Sequence, residues 1–138
     1  MYKEISNWET TKSVGSNSVI VMHTVDKERE TLIRLVGNIS LERVSNDVTC
    51  YVAVYVNYGG GLALSDLSTN VRDRLASAIL WHGVYHVSVG QEVVIVPFDV
   101  KGMRKLREDD VIEFVIHPSG GSGSVNLAMS GTSFFKLS

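Results

Sequence analysis

Runs in which apolar and polar residues alternate constrain the fold of this chain more than any other feature of its sequence. The clearest run is DVTCYVAVYVNY at 47–58. Its apolar residues at every second position share one face: Val48, Cys50, Val52, Val54 and Val56. A period of two residues is the pattern of a β-strand that packs one face on a core. The opposite face carries Tyr51, Ala53 and Tyr55, so we expect it to be covered as well.

Further runs with strand-forming residues follow one another along the chain. They cover 18–25, 30–43, 84–89, 91–98, 111–117 and 124–137. The apolar face of the second of these runs comprises Ile33, Leu35, Ile39 and Leu41. Gly37 lies on the same face, which predicts a bulge or a close packing partner at that position.

One stretch changes to a helical period. Over 67–82, the apolar residues Leu67, Val71, Leu75 and Ile79 recur every four residues. This spacing predicts an amphipathic helix that ends before Gly83. About seven strand candidates with one helix indicate an all-β sandwich or barrel, because a parallel α/β fold needs a helix between successive strands.

Length and charge bound the organisation of the chain. Its 138 residues fit one domain, which we place at 18–138, with a lead-in or arm at 1–17 that shows no clear periodicity. The net charge of −2 means that nucleic acid would have to bind a local patch rather than the whole surface. The polar N-terminus predicts no secretory signal, and no apolar run is long enough to predict a membrane span.

No pattern in the sequence predicts catalysis, a cofactor or a metal centre. A single cysteine, Cys50, rules out a disulfide framework and a zinc site built of cysteines. His82 and His86 have a spacing that binds metal on a helix, but we expect the helix to end between them. No serine lies in a G-x-S-x-G context, and SGGSGS at 119–124 has the composition of a flexible loop without the ending of a phosphate loop. We therefore expect that the chain is not an enzyme.

Two further sets of side chains have a functional and a structural interpretation. Glu108, Asp109 and Asp110 have the chemistry to hold a hard cation, but an acidic turn that is simply solvated is the commoner case. The tryptophans and tyrosines have the chemistry to form a sugar-binding platform, although aromatic residues on strands more often pack in the interior.

The order of several motifs resembles the capsid proteins of small viruses. The matching stretches are ETLIRLVGNISL at 30–41, AILWHG at 78–83, KGMRKLREDDVIEFVI at 101–116, and the terminal SFFKL. These features resemble the single jelly-roll coat proteins of circular single-stranded DNA viruses and of tombusvirus-like RNA viruses, over roughly residues 18–138. The resemblance implies an eight-stranded antiparallel jelly-roll sandwich, with the helix at about 67–82 as an insertion.

The same resemblance implies a structural function. The chain would assemble with many copies of itself into an icosahedral shell around a single-stranded DNA or RNA genome, and its location would be the virion, assembled inside the host cell. Such proteins usually carry a basic N-terminal arm, whereas residues 1–17 hold only Lys3 and Lys12 as bases, against Glu4 and Glu9. Genome contacts would then come from bases of the folded domain or from another component, or genome binding would be weak.

The densest charge lies in MRKLREDDVIEFVIHP at 103–118, and it has two interpretations. The bases Lys101, Arg104, Lys105 and Arg107 are candidate nucleic-acid contacts. The three acids that follow at once weaken the local field, which favours a structural turn that starts the strand at 111–117, with Leu106 as a buried anchor. Two other functions stay open: a jelly-roll carbohydrate-binding module, and a small β-barrel hydrolase.

Overall fold

Eight β-strands account for most of the chain. The computed structural model describes residues 4–26, 29–44, 47–60, 79–88, 93–119 and 124–137. The strands are β1 (Glu4–Val14), β2 (Ser18–Thr24), β3 (Arg29–Arg43), β4 (Val48–Asn57), β5 (Ile79–Val87), β6 (Val93–Arg107), β7 (Val111–Ser119) and β8 (Val125–Leu137). A short 3₁₀ turn, Tyr58–Gly60, follows β4.

The strands form two four-stranded antiparallel sheets. Sheet A has the order β1-β8-β3-β6, and sheet B has the order β2-β7-β4-β5. Except at the β4–β5 connection, successive strands lie in opposite sheets, so the chain wraps around a common core. This strand order is that of an eight-stranded jelly roll. The prediction of an all-β jelly-roll sandwich is confirmed.

Alternation fills the space between the sheets with apolar side chains. All five residues of the predicted inner face of β4 are buried, and Leu35, Ile39 and Leu41 of β3 are buried opposite them. Ile33 was expected on the same face, but a bulge between Leu32 and Arg34 changes the phase of the strand, and Leu32 is the buried residue instead. The core therefore follows the period of two residues, except where the bulge interrupts it.

The outward face of β4 is buried over its second half, at Ala53, Tyr55 and Asn57, in agreement with the expectation that this face is covered. Ala53 and Tyr55 form a second apolar cluster with Val115 of β7. Tyr55 Oη donates a hydrogen bond to Glu113 Oε1 at 2.8 Å, and Asn57 Nδ2 donates to the same oxygen at 2.9 Å. Burial, with a further contribution from Glu113, raises the pKa of Tyr55. Polar groups on this covered face are thus paired with one another, as burial requires.

Cys50 provides a test of how tightly the core is closed. Its side chain is fully buried, and burial raises the pKa of the thiol from 9.0 to about 11. The neutral thiol is therefore favoured in the folded protein, so its contribution to stability is complete below pH 9 and is lost as the pH rises towards 11. We expect a chromogenic thiol reagent at pH 8 to label no cysteine in the native protein and one per chain in urea. Rapid labelling without denaturant would contradict this closed core.

One prediction about chain organisation needs correction, and another stays a prediction. Residues 1–17 were expected to form an arm or lead-in, and within them Glu4–Val14 is strand β1, which pairs with β8 along its whole length. The helix predicted at 67–82 is wrong at its end, because Ile79–Val87 is strand β5. The rest of that stretch, 67–78, lies outside the described residues. The division at residue 17 into lead-in and domain stays a prediction.

Trp8 explains how β1 attaches to the sandwich. In the register of sheet A, Trp8 lies opposite Gly131, and Gly131 lies opposite Gly37. A Cβ atom on either glycine would come within about 2.6 Å of the indole ring. The packing partner predicted for Gly37 is therefore Trp8, whose Nε1 donates a hydrogen bond to Ser133 Oγ at 3.1 Å. The indole also begins a row of stacked rings that continues through Phe98 and Trp81 to Tyr85.

Candidate nucleic-acid interface

The four candidate bases lie on β6, which forms one edge of sheet A. Lys101, Arg104, Lys105 and Arg107 belong to the strand itself, so the turn that starts the strand at 111–117 does not include the bases. The turn comes afterwards, at Glu108 and Asp109. The proposed role of Leu106 as an anchor is confirmed, because its side chain is buried at 1% exposure.

Strand alternation separates the four bases into two groups. Arg104 shares the inward side of β6 with Leu106, whereas Lys101, Lys105 and Arg107 are exposed on the outward side. Lys101 and Lys105 are four residues apart and therefore share one face of β6, and the register shift between Lys101 and Arg104, where Gly102 has φ 135°, places them opposite Arg34 and Thr31 of β3. The left-handed backbone at this point is available to glycine at little steric cost.

Strand pairing adds three bases that sequence reasoning missed. Arg29 of β3 lies opposite Arg107, and Arg34 lies opposite Lys101. Thr31 is flanked by Lys105 on β6 and by Lys136 on β8, and it is buried at 1% exposure beneath these long side chains. We call this outward surface the basic face; it consists of Arg29, Arg34, Lys101, Lys105, Arg107 and Lys136.

The basic face holds little compensating negative charge. Among the described residues that share the outward face with these bases, the acidic side chain beside them is Asp99 of β6. It accepts two hydrogen bonds from Arg34, Nε to Oδ1 at 3.0 Å and Nη2 to Oδ2 at 2.8 Å, and Lys101 Nζ lies 3.9 Å from Oδ2. The hydrogen bond from Arg34 lowers the pKa of Asp99, with a smaller contribution from Lys101. One carboxylate is therefore shared between two of the six bases.

Arg104 faces the flank of the sandwich, where the edges of the two sheets approach each other. Its Nη1 donates a hydrogen bond to Tyr58 Oη at 3.1 Å. With Lys101 and Gly102 it lines a cavity of about 140 Å³, whose apolar wall includes Leu80 and Val100. The structure therefore does not place all four predicted bases together: Arg104 lies round the edge from the basic face, and Lys101 lies at the boundary between the two.

The three acids after the bases have different environments, so neither interpretation of them as one group holds. Glu108 and Asp109 are exposed, but Asp110 is buried at 7% exposure. Its Oδ1 accepts a hydrogen bond from the Gly59 amide at 2.8 Å, and its Oδ2 accepts one from the Arg107 amide at 2.8 Å. Asp110 thus ties the β6–β7 turn to the turn after β4, and it is neither solvated nor free to bind a cation.

Replacing Asp110 with alanine is expected to lower the free energy of unfolding by about 2 kcal/mol, because two backbone amides lose their acceptor. Replacing the exposed Glu108 with alanine is the matched control and is expected to change stability by less than about 0.5 kcal/mol. Urea unfolding followed by circular dichroism measures both effects. Equal effects of the two substitutions would contradict the structural role of Asp110.

The other candidate sites do not assemble into a centre with evident chemistry. His82 and His86 lie on β5, where a separation of four residues spans about 13 Å, too far for both to bind one ion. No cluster of three or more His, Cys, Asp or Glu residues with metal-binding geometry occurs in the described ranges. Within the same ranges, no helix has the length and apolar character to cross a membrane.

The aromatic residues proposed as a sugar platform mostly pack in the interior. Trp8, Trp81 and Tyr85 belong to the stacked row against the core, and Tyr55 is fully buried. Tyr51 is half-buried beside the ring of His117, and Tyr58 is half-exposed. The described aromatic residues therefore support the packing interpretation over a carbohydrate-binding platform.

Comparisons with known proteins find little similarity to this chain. A scan against protein-family models finds no match, and a search of curated proteins finds none. Among solved structures, a chain in the structure of the infectious bursal disease virus Gx strain aligns with 99% of this chain, at 7% sequence identity and a TM-score of 0.39. This chain spans 33% of the length of that chain.

Proposed function

We propose that this chain is a structural capsid subunit of a small virus, without catalytic activity of its own. Many copies would assemble into an icosahedral shell around a single-stranded DNA or RNA genome, and the protein would reside in the virion. The jelly-roll strand order supports this proposal together with the motif resemblance in the sequence. The observation that carries self-assembly is the placement of exposed apolar side chains at the edges of both sheets.

Each of the four edge strands carries a large apolar side chain that is exposed to solvent. These side chains are Ile5 on β1 (58% exposed), Val21 on β2 (58%), Val84 on β5 (47%) and Ile95 on β6 (69%), joined by Val93 on β6 (42%). Among the described residues, the central strands β8, β3, β7 and β4 carry none. An exposed apolar residue on a sheet edge is available for contact with another chain, and monomeric proteins usually protect their edges against such contacts.

This distribution fits a subunit that contacts neighbours through its sides. A shell needs lateral contacts around each subunit, whereas a binding module needs one concave site. Edge strands also present unpaired backbone N–H and C=O groups, which can pair with another chain. The four edges therefore supply both the apolar area and the hydrogen-bonding groups that lateral assembly requires.

Replacing Ile95 with glutamate is expected to abolish assembly at concentrations where the unaltered protein assembles, because it places charge in an apolar contact. The thermal midpoint of the unassembled subunit should change little, because Ile95 is exposed in the subunit. Sedimentation velocity over a range of salt and pH measures assembly, and circular dichroism measures the fold. Ala128→Glu, an exposed change on the central strand β8 opposite Ser40 and Thr11, is the matched control. Unchanged assembly of the Ile95 variant would remove this edge from the contacts.

A further inference from the structure

The basic face brings like charges together in an arrangement that disfavours folding. Arg29 and Arg107 lie directly opposite each other on adjacent strands, and Lys105 and Lys136 flank Thr31. Like charges at opposed cross-strand positions are destabilising. The described part of the face offers Asp99 as the compensating acid, and that carboxylate already binds Arg34 and lies near Lys101. Among the described residues, Arg29, Lys105, Arg107 and Lys136 form no ion pair, although the exposed acids Glu108 and Asp109 follow Arg107 directly.

Charge is also distributed unevenly over the molecule. Seven of the 13 lysines and arginines lie at this end of sheet A, namely the six bases of the basic face and Arg104. The acids Glu108, Asp109 and Asp110 follow Arg107 directly, so this end of the molecule carries charges of both signs, but the outward face of its strands holds six bases and Asp99. A polyanion is therefore attracted to the basic face, and the neighbouring acids reduce this attraction.

We propose that the basic face binds the sugar–phosphate backbone of a nucleic-acid strand, through its phosphates and without reading its bases. Arginine and lysine are the side chains that bind phosphate oxygens most strongly, and the partner supplies the negative charge that the face lacks. Base recognition on a single strand relies on stacked aromatic rings, whereas the outward positions around these bases carry mainly Thr31, Ile5 and one half-buried ring, Phe134. Binding is therefore independent of sequence and similar for DNA and RNA.

This inference rests on the proposed function in one respect: the bound strand is taken to be the genome that the shell encloses. It also assigns genome contact to bases of the folded strands, whereas residues 1–17 hold only Lys3 and Lys12 as bases, against Glu4 and Glu9. Because Arg29 and Arg107 repel each other, binding relieves an unfavourable interaction. A bound strand should therefore raise the thermal midpoint of the subunit.

The test is a titration of a fluorescent single-stranded 20-mer of mixed sequence, as DNA and as RNA, with unassembled subunits at several salt concentrations. If all six bases contact phosphates, log K against log salt has a slope of about −4. Arg107→Gln and Lys105→Gln should each reduce the magnitude of the slope by about 0.7. The triple variant Arg29→Gln, Lys105→Gln, Arg107→Gln should bind about 100-fold more weakly at 0.1 M salt, because each lost contact removes a factor of about five.

Two controls distinguish binding at the basic face from non-specific electrostatic attraction between the protein and the strand. Lys12→Gln changes an exposed lysine of β1 at the opposite end of sheet A, and it should leave the affinity and the slope unchanged. Arg107→Gln should also leave the thermal midpoint without ligand equal or higher, because it removes a repulsion; a purely structural role for Arg107 would lower that midpoint. Circular dichroism confirms that each variant is folded.

Several results would overturn the proposal. These are equal binding by the triple variant and the unaltered protein, an equal loss in the Lys12 variant, or equally tight binding of poly-glutamate, which would indicate an acidic protein as the partner. Assembly is read separately by light scattering. Particles that form without strand binding would refute nucleic-acid binding by the basic face and leave the proposal of a shell subunit standing. Strand binding without particles would refute the proposal of a shell subunit and leave nucleic-acid binding by the basic face standing.

Discussion

Replacing Glu30 with alanine is expected to lower the free energy of unfolding by about 3 kcal/mol, because it removes the hydrogen-bond partner of a buried polar side chain. Glu30 of β3 is fully buried, and its Oε1 lies 2.9 Å from Nε2 of His23, whose side chain is 9% exposed. His23 belongs to sheet B, and its ring stacks on Phe135 of sheet A with the ring centroids 4.3 Å apart. The pair therefore joins the two sheets inside the sandwich, and removing the carboxylate leaves an imidazole buried without this partner.

A double-mutant cycle tests whether the cost comes from the pair. We expect the combined variant His23→Leu, Glu30→Met to be more stable than the Glu30→Ala variant, because apolar side chains of similar size can replace both partners of a buried polar pair at little cost. Glu30→Gln, which keeps the shape and one acceptor oxygen, should cost less than Glu30→Ala. Urea unfolding of the unaltered protein, His23→Leu, Glu30→Met and the combined variant gives the four free energies of the cycle. Additive effects of separate changes at 23 and 30 would contradict a coupled pair.

Replacing Gly131 with alanine is expected to cost about 3 kcal/mol, near the upper end for overpacking a core. An added Cβ would lie 2.3 Å from the carbonyl oxygen of Val36 and 2.5 Å from the Trp8 ring, so strand pairing and the ring must both shift. Gly37→Ala should act similarly, because its Cβ would lie 2.4 Å from the Ser130 carbonyl oxygen. Urea unfolding, with tryptophan fluorescence as the signal, measures the change.

Gly15→Ala is the matched control, because no atom outside its chain neighbours lies within 4 Å of the added Cβ. Its expected effect is less than about 0.5 kcal/mol in magnitude. The double variant Trp8→Ala, Gly131→Ala should stay destabilised, because removing the indole leaves the contact between the added Cβ and the Val36 carbonyl oxygen. If Gly131→Ala were as mild as the control, Trp8 would not lie over the two glycines as described.

The fold could largely be predicted because its information is local. Val48 to Val56 alternate in sequence, and the same residues fill the core; the apolar outward face of β4 likewise predicted that Ala53 and Tyr55 would be buried. The eighth strand, β1, was missed because its inward positions include the polar Ser6 and Thr10, so the alternation that marks other strands is absent. Its attachment depends on Trp8 packing over Gly37 and Gly131, which are distant in sequence.

The end of the helix prediction shows how a short apolar spacing can mislead. Ile79 extends the four-residue repeat of Leu67, Val71 and Leu75, yet it belongs to β5, where it lies opposite Tyr55 of β4. Trp81 then packs on Phe98 in the core. Tertiary packing of these two side chains outweighs the local helical pattern, and nothing in the spacing itself could reveal the partner strand.

The candidate site was predicted only in part for the same reason. Lys101, Lys105 and Arg107 are close in sequence, so their density was visible, although their contact with nucleic acid stays a prediction. Arg29 and Lys136 are separated by most of the chain, and only the register of β3 between β6 and β8 brings them beside Lys105 and Arg107. A local charge run therefore underestimates a surface that strand pairing assembles.

Negative-stain electron microscopy of the purified protein, across salt and pH, tests the central claim that this jelly roll is a shell subunit. We expect closed particles of uniform diameter built from many copies, and we expect the Ile95→Glu variant to form none while it stays folded. A protein that remains monomeric under every condition, at concentrations where its fold is intact, would contradict the claim.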